Sequence, residues 1–363
     1  MRAPSAALTA LSDALDLLRS LARPVTPRVI PLTAACGRIA AAAVPAPEDL
    51  PPTAIALRDG FAVEAATVGG ASPYAPVMLA RDPAWIEAGA PLPEGADALL
   101  SAEGLEGRSA VAEAGAGDGI RAPGDDLSCG DGILGTGERI TPLHLLALAA
   151  AGFDTVAVRR PQLRLVATGM PVRDALSPML AALIERAGGT AESVTAADAP
   201  ESIAAAIRAD GADAVLVLGG TGFGRTDRSA EGLADTGRVL AHGLALRPGE
   251  TAGIGEAGGR PVLLLPGRPD AALAVFLALG RPLIAALADA PAPPPRRAPL
   301  LRKVASGIGL SEIVYLRRRA SGVEPLGGAD LPLRRLAEAD GAVLVPPERE
   351  GYPEGTEIEV LPL

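Results

Sequence analysis

The segment from residue 161 to residue 290 alternates short apolar runs with helical patterns, and this alternation constrains the fold more than any other feature. The runs LRLVATG, DAVLVLGG and RPVLLLPG each end in glycine, and SPMLAALIERAGG and PESIAAAIRADG supply amphipathic helices between strands. Strands that alternate with helices form βαβ units around a parallel sheet. The segment is therefore predicted to be a doubly wound parallel α/β domain.

The rest of the chain has different patterns. A helix is predicted near residues 5–22, and another begins after Thr141 and stops at Gly152. Short apolar runs broken by Gly, Pro and Asp between Pro47 and Gly137 are typical of a β-rich module. The stretch APAPPPRRAP reads as a stiff linker before a group of strand-like runs.

These patterns, in a chain of 363 residues, predict an α/β multidomain protein. The expected parts are a helical linking domain, a β-rich domain, the α/β domain, and a small β-barrel-like C-terminal domain. Their expected boundaries are 1–45 with 138–160, 46–137, 161–290, and 291–363, respectively.

Charge and residue content exclude several function classes. The net charge is -10 and no long run of like charges occurs, so we expect no nucleic-acid partner. Cys36 and Cys129 lack metal-type spacing, which gives no basis for a zinc site. The only histidines, His144 and His242, give little support to a catalytic triad.

The N-terminal segment has the arginine and apolar residues of a signal peptide, but acidic residues interrupt it. Asp13 and Asp16 fall inside the apolar stretch, which therefore reads better as an amphipathic helix. No run of 18 apolar residues free of charges or Gly/Pro breaks is found, so no membrane span is predicted. The expected location is the cytoplasm.

Glycine-rich loops follow the predicted strands of the α/β domain. Ligands of open α/β sheets bind outside the carboxyl ends of the strands, and glycine lets backbone N–H groups approach a ligand closely. Four arginines, Arg225, Arg228, Arg247 and Arg268, lie in or beside these loops. Together they predict one site for an anionic ligand. The loop residues concerned are Thr168, Gly169, Gly219, Gly220, Thr221, Gly222, Pro266, Gly267 and Pro269.

An ordinary Rossmann-type nucleotide-binding enzyme is the unrelated alternative. No GxGxxG opens the first βαβ unit, and the loop GGTGFG lacks the Lys-Ser/Thr of a P-loop. The sequence disfavours this reading on both counts.

A series of motifs carries a resemblance to a known family. Asp59-Gly60-Phe61-Ala62, the string GAPLPEGADA, Gly124-Asp125-Asp126, Arg247-Pro248-Gly249 and the string LPGRP occur in that order along nearly the whole chain. In this order and spacing they resemble molybdopterin molybdenumtransferases, the MoeA and gephyrin E-domain family. The resemblance implies a homodimer that inserts molybdenum from molybdate into adenylylated molybdopterin, releasing AMP with help from Mg²⁺.

The resemblance also assigns roles to individual residues. It implies catalytic roles for Asp59, Asp126 and Asp227, with Asp59 and Asp227 as metal ligands. It adds Asp174, Ser177 and the Arg247-Pro248-Gly249 segment to the cofactor-binding loops, and makes 161–290 the molybdopterin-binding domain and 1–45 with 138–160 a dimerisation domain. A molybdoenzyme or an adenylyltransferase is a candidate partner. Carboxylates suit a hard divalent cation and an oxyanion substrate.

The sequence also departs from the family pattern. Acids of the pattern are absent at Met170 and Pro171, a lysine position holds Glu250, and an asparagine position holds Arg268. One hypothesis is that Glu250 and Arg268 exchanged charge roles, with Glu250 orienting Arg268 toward a phosphate. Two further readings stay open, a non-catalytic carrier of molybdopterin or the finished cofactor, and a scaffold protein of the same fold.

Overall fold

The computed structural model describes residues 8–169, 174–224, 227–291 and 295–363. It divides into two compact units. The larger unit comprises residues 1–42, 136–141 and 155–363, and the smaller unit comprises residues 43–135 and 142–154. The architecture is a multidomain α/β fold with mixed sheets.

The N-terminal elements belong to the larger unit, and the elements that follow them belong to the smaller unit. The first elements are α1 (Leu11–Leu21), β1 (Arg28–Pro31), a 3₁₀ turn (Leu32–Ala34) and β2 (Ile39–Ala40). Short strands dominate the smaller unit, as the turn-rich sequence predicts. Its elements are β3 (Val44–Pro45), β4 (Ile55–Ala56), β5 (Gly60–Val63), α2 (Ala65–Val68), β6 (Val77–Met78), β7 (Ala84–Ile86), β8 (Ala98–Leu100), a 3₁₀ turn (Ala102–Gly104), β9 (Leu105–Glu106), β10 (Ser109–Ala110), β11 (Ile120–Arg121), β12 (Gly132–Leu134) and α3 (Pro142–Ala150).

The chain then returns to the larger unit, where β13 (Thr155–Arg159) pairs with both β1 and β2. The α/β region follows. Its elements are β14 (Gln162–Thr168), α4 (Leu176–Arg186), β15 (Thr190–Ala196), α5 (Pro200–Arg208), β16 (Ala214–Leu218), α6 (Ser229–Ala234), β17 (Arg238–His242), β18 (Leu246–Arg247), β19 (Gly253–Ala257), β20 (Arg260–Leu265), α7 (Pro269–Val275), a π-helical segment (Phe276–Gly280) and α8 (Arg281–Ala288).

The central sheet has the strand order β15-β14-β16-β20-β19-β17. Its first four strands are parallel, which confirms the predicted βαβ units. Alternate residues of β16 enter different cores: Leu216 joins one apolar cluster with α1 and α7, and Val217 joins another with α5 and α6. A strand covered on both faces needs a continuous apolar run. This explains why every residue of β16, AVLVL, is apolar.

The prediction of a wholly parallel sheet is wrong at one edge. β17 and β19 run antiparallel, and β19 connects to β20 by a hairpin in which Ala257 pairs with Arg260. The two connecting residues, Gly258 and Gly259, have φ values of +58° and +76°. Such a two-residue turn requires positive φ at both positions and forces its strands to be antiparallel, so the Gly-Gly pair was the missed signal.

Residues Pro269–Ala288 form one continuous helical stretch through the π-helical segment. Within the described residues it is the helix that is long and apolar enough, by length and composition alone, to cross a membrane. Its most apolar window is 78% buried inside the protein. That burial is the environment of a core helix.

The C-terminal region forms a second six-stranded sheet with the order β18-β23-β25-β27-β21, and β24 is added on β23. β18 comes from the α/β region and pairs in parallel with β23, Leu246 lying opposite Ser311. The loop after β18 is therefore held against the C-terminal sheet. The remaining elements are β21 (Arg296–Pro299), β22 (Val304–Ala305), β23 (Ser311–Arg319), β24 (Gly322–Gly327), α9 (Leu333–Leu336), β25 (Gly341–Val345), β26 (Gly351–Tyr352) and β27 (Glu357–Pro362).

Candidate functional site

The loops after β14, β16 and β20 meet at one edge of the central sheet. These strands are parallel neighbours, so their carboxyl ends lie side by side. Thr168 Oγ1 donates a hydrogen bond of 3.0 Å to the Leu218 carbonyl, and the Gly219 N–H donates one of 2.9 Å to the Leu265 carbonyl. The structure thus brings three of the predicted loops into direct contact.

Space for a side chain is tight at Gly219, and the backbone conformation favours glycine both there and at Gly220. A Cβ on Gly219 would lie 3.2 Å from Thr168 Oγ1, and one on Gly267 would lie 3.4 Å from the Gly219 Cα. Gly219 and Gly220 also have φ values of +88° and +60°, a backbone conformation that costs other residues free energy. The backbone itself is therefore the surface exposed at this edge.

Ser229, which the sequence analysis did not single out, supports the loop after β16. Its Oγ donates a 2.7 Å hydrogen bond to the Gly219 carbonyl, and its N–H donates to the Gly220 carbonyl over 3.0 Å. Ser229 is completely buried. Its place at the start of a helix, just after a glycine-rich loop, is a local signal that fits this role but does not by itself identify the residue.

Asp227 closes the same loop from the other end. Its Oδ2 accepts a 2.9 Å hydrogen bond from the Gly224 N–H. A Cβ on Gly222 would lie only 2.6 Å from this oxygen, so the carboxylate packs against the loop backbone. Within the part of the chain that the structure describes, no group of three or more His, Cys, Asp or Glu side chains is placed to hold a metal ion. Asp227 as a metal ligand remains a prediction.

A second line of contacts connects this loop to residues after β18. The Thr221 and Thr251 hydroxyl oxygens are 3.2 Å apart, and His242 Nε2 lies 2.9 Å from the Thr221 carbonyl oxygen. The rings of His242 and Phe223 have centroids 5.0 Å apart. His242 thus supports the loop backbone.

The loop after β18 packs tightly against the long helix. The Arg247–Pro248 peptide bond is cis, and Gly249 has φ +132°. A Cβ on Gly249 would lie 2.7 Å from Val275 Cγ2, so only glycine fits there. Glu250 Oε2 accepts a 3.0 Å hydrogen bond from the Gly249 N–H.

A cavity of about 180 Å³ opens between this loop, the start of α7 and the loop before α9. Charges of both signs line it. The charged and polar residues around it are Arg247, Glu250, Thr251, Arg268 and Asp330. Pro266, which precedes Gly267, also lines the cavity, so the cavity adjoins the edge formed by Thr168, Gly219 and Gly267, here called the glycine-built edge.

Arg268 is the most extensively paired side chain of the cavity. Its Nη2 and Nε donate to the two carboxylate oxygens of Asp270 over 2.6 and 3.2 Å, and its Nη1 lies 2.6 Å from Asp330 Oδ1. Hydrogen bonding to Asp270 raises the pKa of the Arg268 guanidinium. Burial alone would raise the pKa of the Asp270 carboxyl, but hydrogen bonds and charge from Arg268 lower it.

Further contacts hold Asp270 in place. The Asp330 N–H donates to its Oδ2 over 2.8 Å, and the buried Tyr315 hydroxyl donates to its backbone carbonyl. Burial raises the pKa of that hydroxyl above its ordinary value, so Tyr315 stays protonated and remains a donor. Asp270 is thus fixed by residues of both the α/β region and the C-terminal sheet.

The segment after β14 contributes a helix cap. Asp174 Oδ1 accepts hydrogen bonds from the backbone N–H groups of Leu176 and Ser177 over 3.1 and 3.0 Å. Partial burial would raise the pKa of Asp174, but hydrogen bonds from Ser177 and Leu176 lower it. Residues 170–173, with Met170 and Pro171, and Arg225 lie outside the described residues.

The remaining predicted acids belong to the smaller unit. Asp59 Oδ1 accepts a 2.8 Å hydrogen bond from the Ala88 N–H, next to the GAPLPEGADA string. Asp126 pairs with Arg121, and its backbone N–H donates to the Leu50 carbonyl over 2.9 Å. In this unit both carboxylates organise turns, and their catalytic roles remain predictions.

Three family models match successive parts of the chain. They are the MoeA N-terminal region (domain I and II) at residues 9–152, the Probable molybdopterin binding domain at residues 148–286, and the MoeA C-terminal region (domain IV) at residues 297–363. Molybdopterin molybdenumtransferase 2 of Mycobacterium tuberculosis is 32% identical, over 93% of this chain and 95% of its own length. The chain belongs to the molybdopterin molybdenumtransferase (MoeA) family.

Other relatives support the same family assignment. The molybdopterin molybdenumtransferase of Synechococcus elongatus is 27% identical over 91% of this chain and 93% of its own. The crystal structure of the molybdopterin biosynthesis MoeA protein from Pyrococcus horikoshii superposes with a TM-score of 0.78 at 28% identity, covering 98% of this chain and 99% of that one. The MoeA fold therefore extends over the whole of the described chain.

One expectation about this MoeA-family chain is wrong. Glu250 does not orient Arg268 in the structure, because Glu250 bonds the adjacent Gly249 N–H while Arg268 bonds Asp270 and Asp330. Both partners of Arg268 were missed. Asp270 was within reach of sequence reasoning as an acid two residues away, whereas Asp330 belongs to the C-terminal region and no local pattern connects it to Arg268.

Proposed function

We propose that this MoeA-family protein binds adenylylated molybdopterin at the carboxyl edge of the central sheet and inserts molybdenum from molybdate. The observation that carries the proposal is the junction where the Gly219 and Gly267 backbones approach each other beside the Thr168 hydroxyl, with no Cβ on either glycine. Such an edge suits a phosphate-bearing ligand. Arg247 and Arg268 in the adjoining cavity supply positive charge for its anionic groups.

Mg²⁺ is the cation that the family resemblance implies. Mg²⁺ usually takes one or two carboxylates, keeps several waters, and completes its shell with substrate phosphates. Asp227 would be such a carboxylate, and its Oδ2 also accepts a hydrogen bond from the loop backbone. The ion would supply charge neutralisation at the phosphates. Asp59 and Asp126 are proposed to act with Asp227 on the resemblance alone.

Binding can be tested with a pair of glycine variants. Gly219 and Gly211 both have positive φ, +88° and +97°, so alanine strains the backbone similarly at each. Gly219→Ala places its methyl group 3.2 Å from Thr168 Oγ1 at the proposed site, whereas Gly211→Ala meets no atom within 4 Å and precedes β16 at the opposite sheet edge. Calorimetric titration with adenylylated molybdopterin should show a loss of about tenfold or more for Gly219→Ala only. Equal losses in both variants would contradict the proposal.

The same preparation separates the enzyme from a carrier. AMP release on addition of molybdate and Mg²⁺ to the bound complex supports molybdenum insertion. Binding without AMP release identifies the non-catalytic carrier instead. If the wild-type protein does not bind adenylylated molybdopterin, both the enzyme function and the carrier function are contradicted.

The finer expectations from the sequence complete the proposal. They are the four-domain division, a barrel-like C-terminal domain, a homodimer, a cytoplasmic location, and a molybdoenzyme or adenylyltransferase partner. Mass photometry of purified protein tests the dimer directly.

A further inference from the structure

Arg268 is held very differently by its two carboxylate partners. The Asp270 side chain is only 5% exposed and accepts two hydrogen bonds from the guanidinium and one from the Asp330 N–H. The Asp330 side chain is 75% exposed and is paired with Arg268 through a single 2.6 Å contact. Separating a charge from a buried partner is costly, whereas an exposed ion pair contributes little. Asp270 is therefore the fixed partner and Asp330 the exchangeable one.

The backbone around Asp330 also sets it apart. Asp330 has φ +63°, a left-handed conformation, and is separated by one residue from the preceding pair Gly327-Gly328, of which Gly327 has φ +134°. Aspartate and asparagine tolerate that conformation better than most residues. The carboxylate thus stands on a glycine-rich turn at the rim of the cavity, where it covers part of a guanidinium that faces an anion site.

A guanidinium has five N–H donors in a planar fork. Asp270 takes two of them, on Nε and Nη2, and Asp330 takes one on Nη1. The side chain is nevertheless 55% exposed, so its outer edge faces the cavity. An incoming oxyanion would compete with Asp330 for Nη1 while Asp270 keeps the fork oriented.

We infer that Asp330 is a displaceable carboxylate that occupies the outer edge of Arg268 until an oxyanion of the ligand replaces it. Asp270 is the positioning residue, because it orients the Arg268 guanidinium, and Arg268 is the residue that binds the oxyanion. The inference rests on the proposed function, because it assumes that an anionic ligand enters this cavity. Its effect is to favour ligands with enough negative charge to displace a carboxylate over weakly charged ones.

The test is a double-mutant cycle read by calorimetric titration with two probes, inorganic phosphate and adenylylated molybdopterin. Asp330→Asn keeps a side chain that tolerates the left-handed backbone and removes the competing charge. Affinity for both probes should rise by roughly three- to fivefold, the equivalent of one exposed ion pair. Glu338→Gln is the matched control, since it removes one negative charge from the ion pairs with Arg317 and Arg335 in the same C-terminal region, and should leave affinity unchanged.

The second arm of the cycle repeats Asp330→Asn in an Arg268→Gln background. The gain should disappear there, because displacement requires the guanidinium. A gain that persists would mean that Asp330 acts only by its general negative field, which overturns the inference. If Arg268→Gln does not fold, Arg268→Lys retains a cation for Asp270 and serves as the background, where the gain should fall below the wild-type value; an undiminished gain overturns the inference.

The arms distinguish this inference from the proposed function. Wild-type binding of the nucleotide with no gain in Asp330→Asn overturns the displaceable carboxylate and leaves the site in place. No binding of either probe by wild type and variant overturns both. A weaker salt dependence of phosphate affinity in Arg268→Gln than in wild type supports Arg268 as the binding residue, and a role confined to folding would not produce it.

Discussion

The glycine-built edge and the charged cavity lie side by side but are constructed in opposite ways. At the edge, Gly219 and Gly267 present backbone beside Thr168, and one buried serine holds the loop. In the cavity, side chains from the α/β region and the C-terminal sheet neutralise one another through Arg268, Asp270 and Asp330. The comparison teaches that the first region depends on the absence of side chains, whereas the second depends on which charged side chains meet.

The largest expected effect on stability comes from removing the ion pairs of the cavity. Arg268→Ala leaves the buried Asp270 carboxylate without its cation, and the free energy of unfolding should fall by about 2 to 3 kcal/mol, discounted for the half-exposed arginine. Adding Asp270→Asn to this variant should restore more than half of the loss, because the uncompensated charge is gone. Urea denaturation measures both.

Arg317→Ala is the control for that comparison. Arg317 pairs with Glu338 over 2.9 Å, and both side chains are more than a third exposed, so its loss should cost about 1 kcal/mol or less. If Arg268→Ala cost no more than Arg317→Ala, the cavity would not depend on its ion pairs and the contrast between the two regions would fail.

A smaller effect is expected at the glycine-built edge. Ser229→Ala removes the 2.7 Å hydrogen bond to the Gly219 carbonyl, and the free energy of unfolding should fall by about 1 kcal/mol. Ser202→Ala also removes one serine hydrogen bond, in this case one accepted from the Ala197 N–H near the start of α5, but at an exposed position. A smaller loss there would sharpen the comparison, since burial is what differs.

The smallest effect is expected in the response to acid. Burial of Asp270 is outweighed by Arg268, and the folded-state pKa of this carboxyl is lowered. A group with a lowered folded pKa contributes stability above its unfolded pKa and loses it as the pH falls through the folded value. Thermal unfolding followed from pH 6 downward should therefore show the loss of this contribution below about pH 4. In Asp270→Asn that part of the slope should be absent, and an identical slope would contradict the assignment.

Much of the fold could be predicted from the sequence because local residue patterns specify it. Continuous apolar runs predicted the parallel strands β14, β16 and β20, and the glycines after them predicted where the loops converge. The antiparallel edge was not predicted, although Gly258-Gly259 signals its hairpin. Ser229 was missed because a serine beside a glycine-rich loop is common, and only its burial shows that it bonds the loop.

What the sequence by itself determined is the parallel strands of the α/β region, the glycine positions of the edge, and the family resemblance. A run of apolar residues or a glycine with positive φ acts on its own neighbours, so its consequence is visible in the sequence. Only the tertiary structure decided which charges meet. Pairing of β18 with β23 holds the C-terminal sheet against the loop after Arg247, and Asp330, rather than Glu250, reaches Arg268. An ion pair depends on distances between side chains that folding brings together, and the order of residues along the chain does not contain those distances.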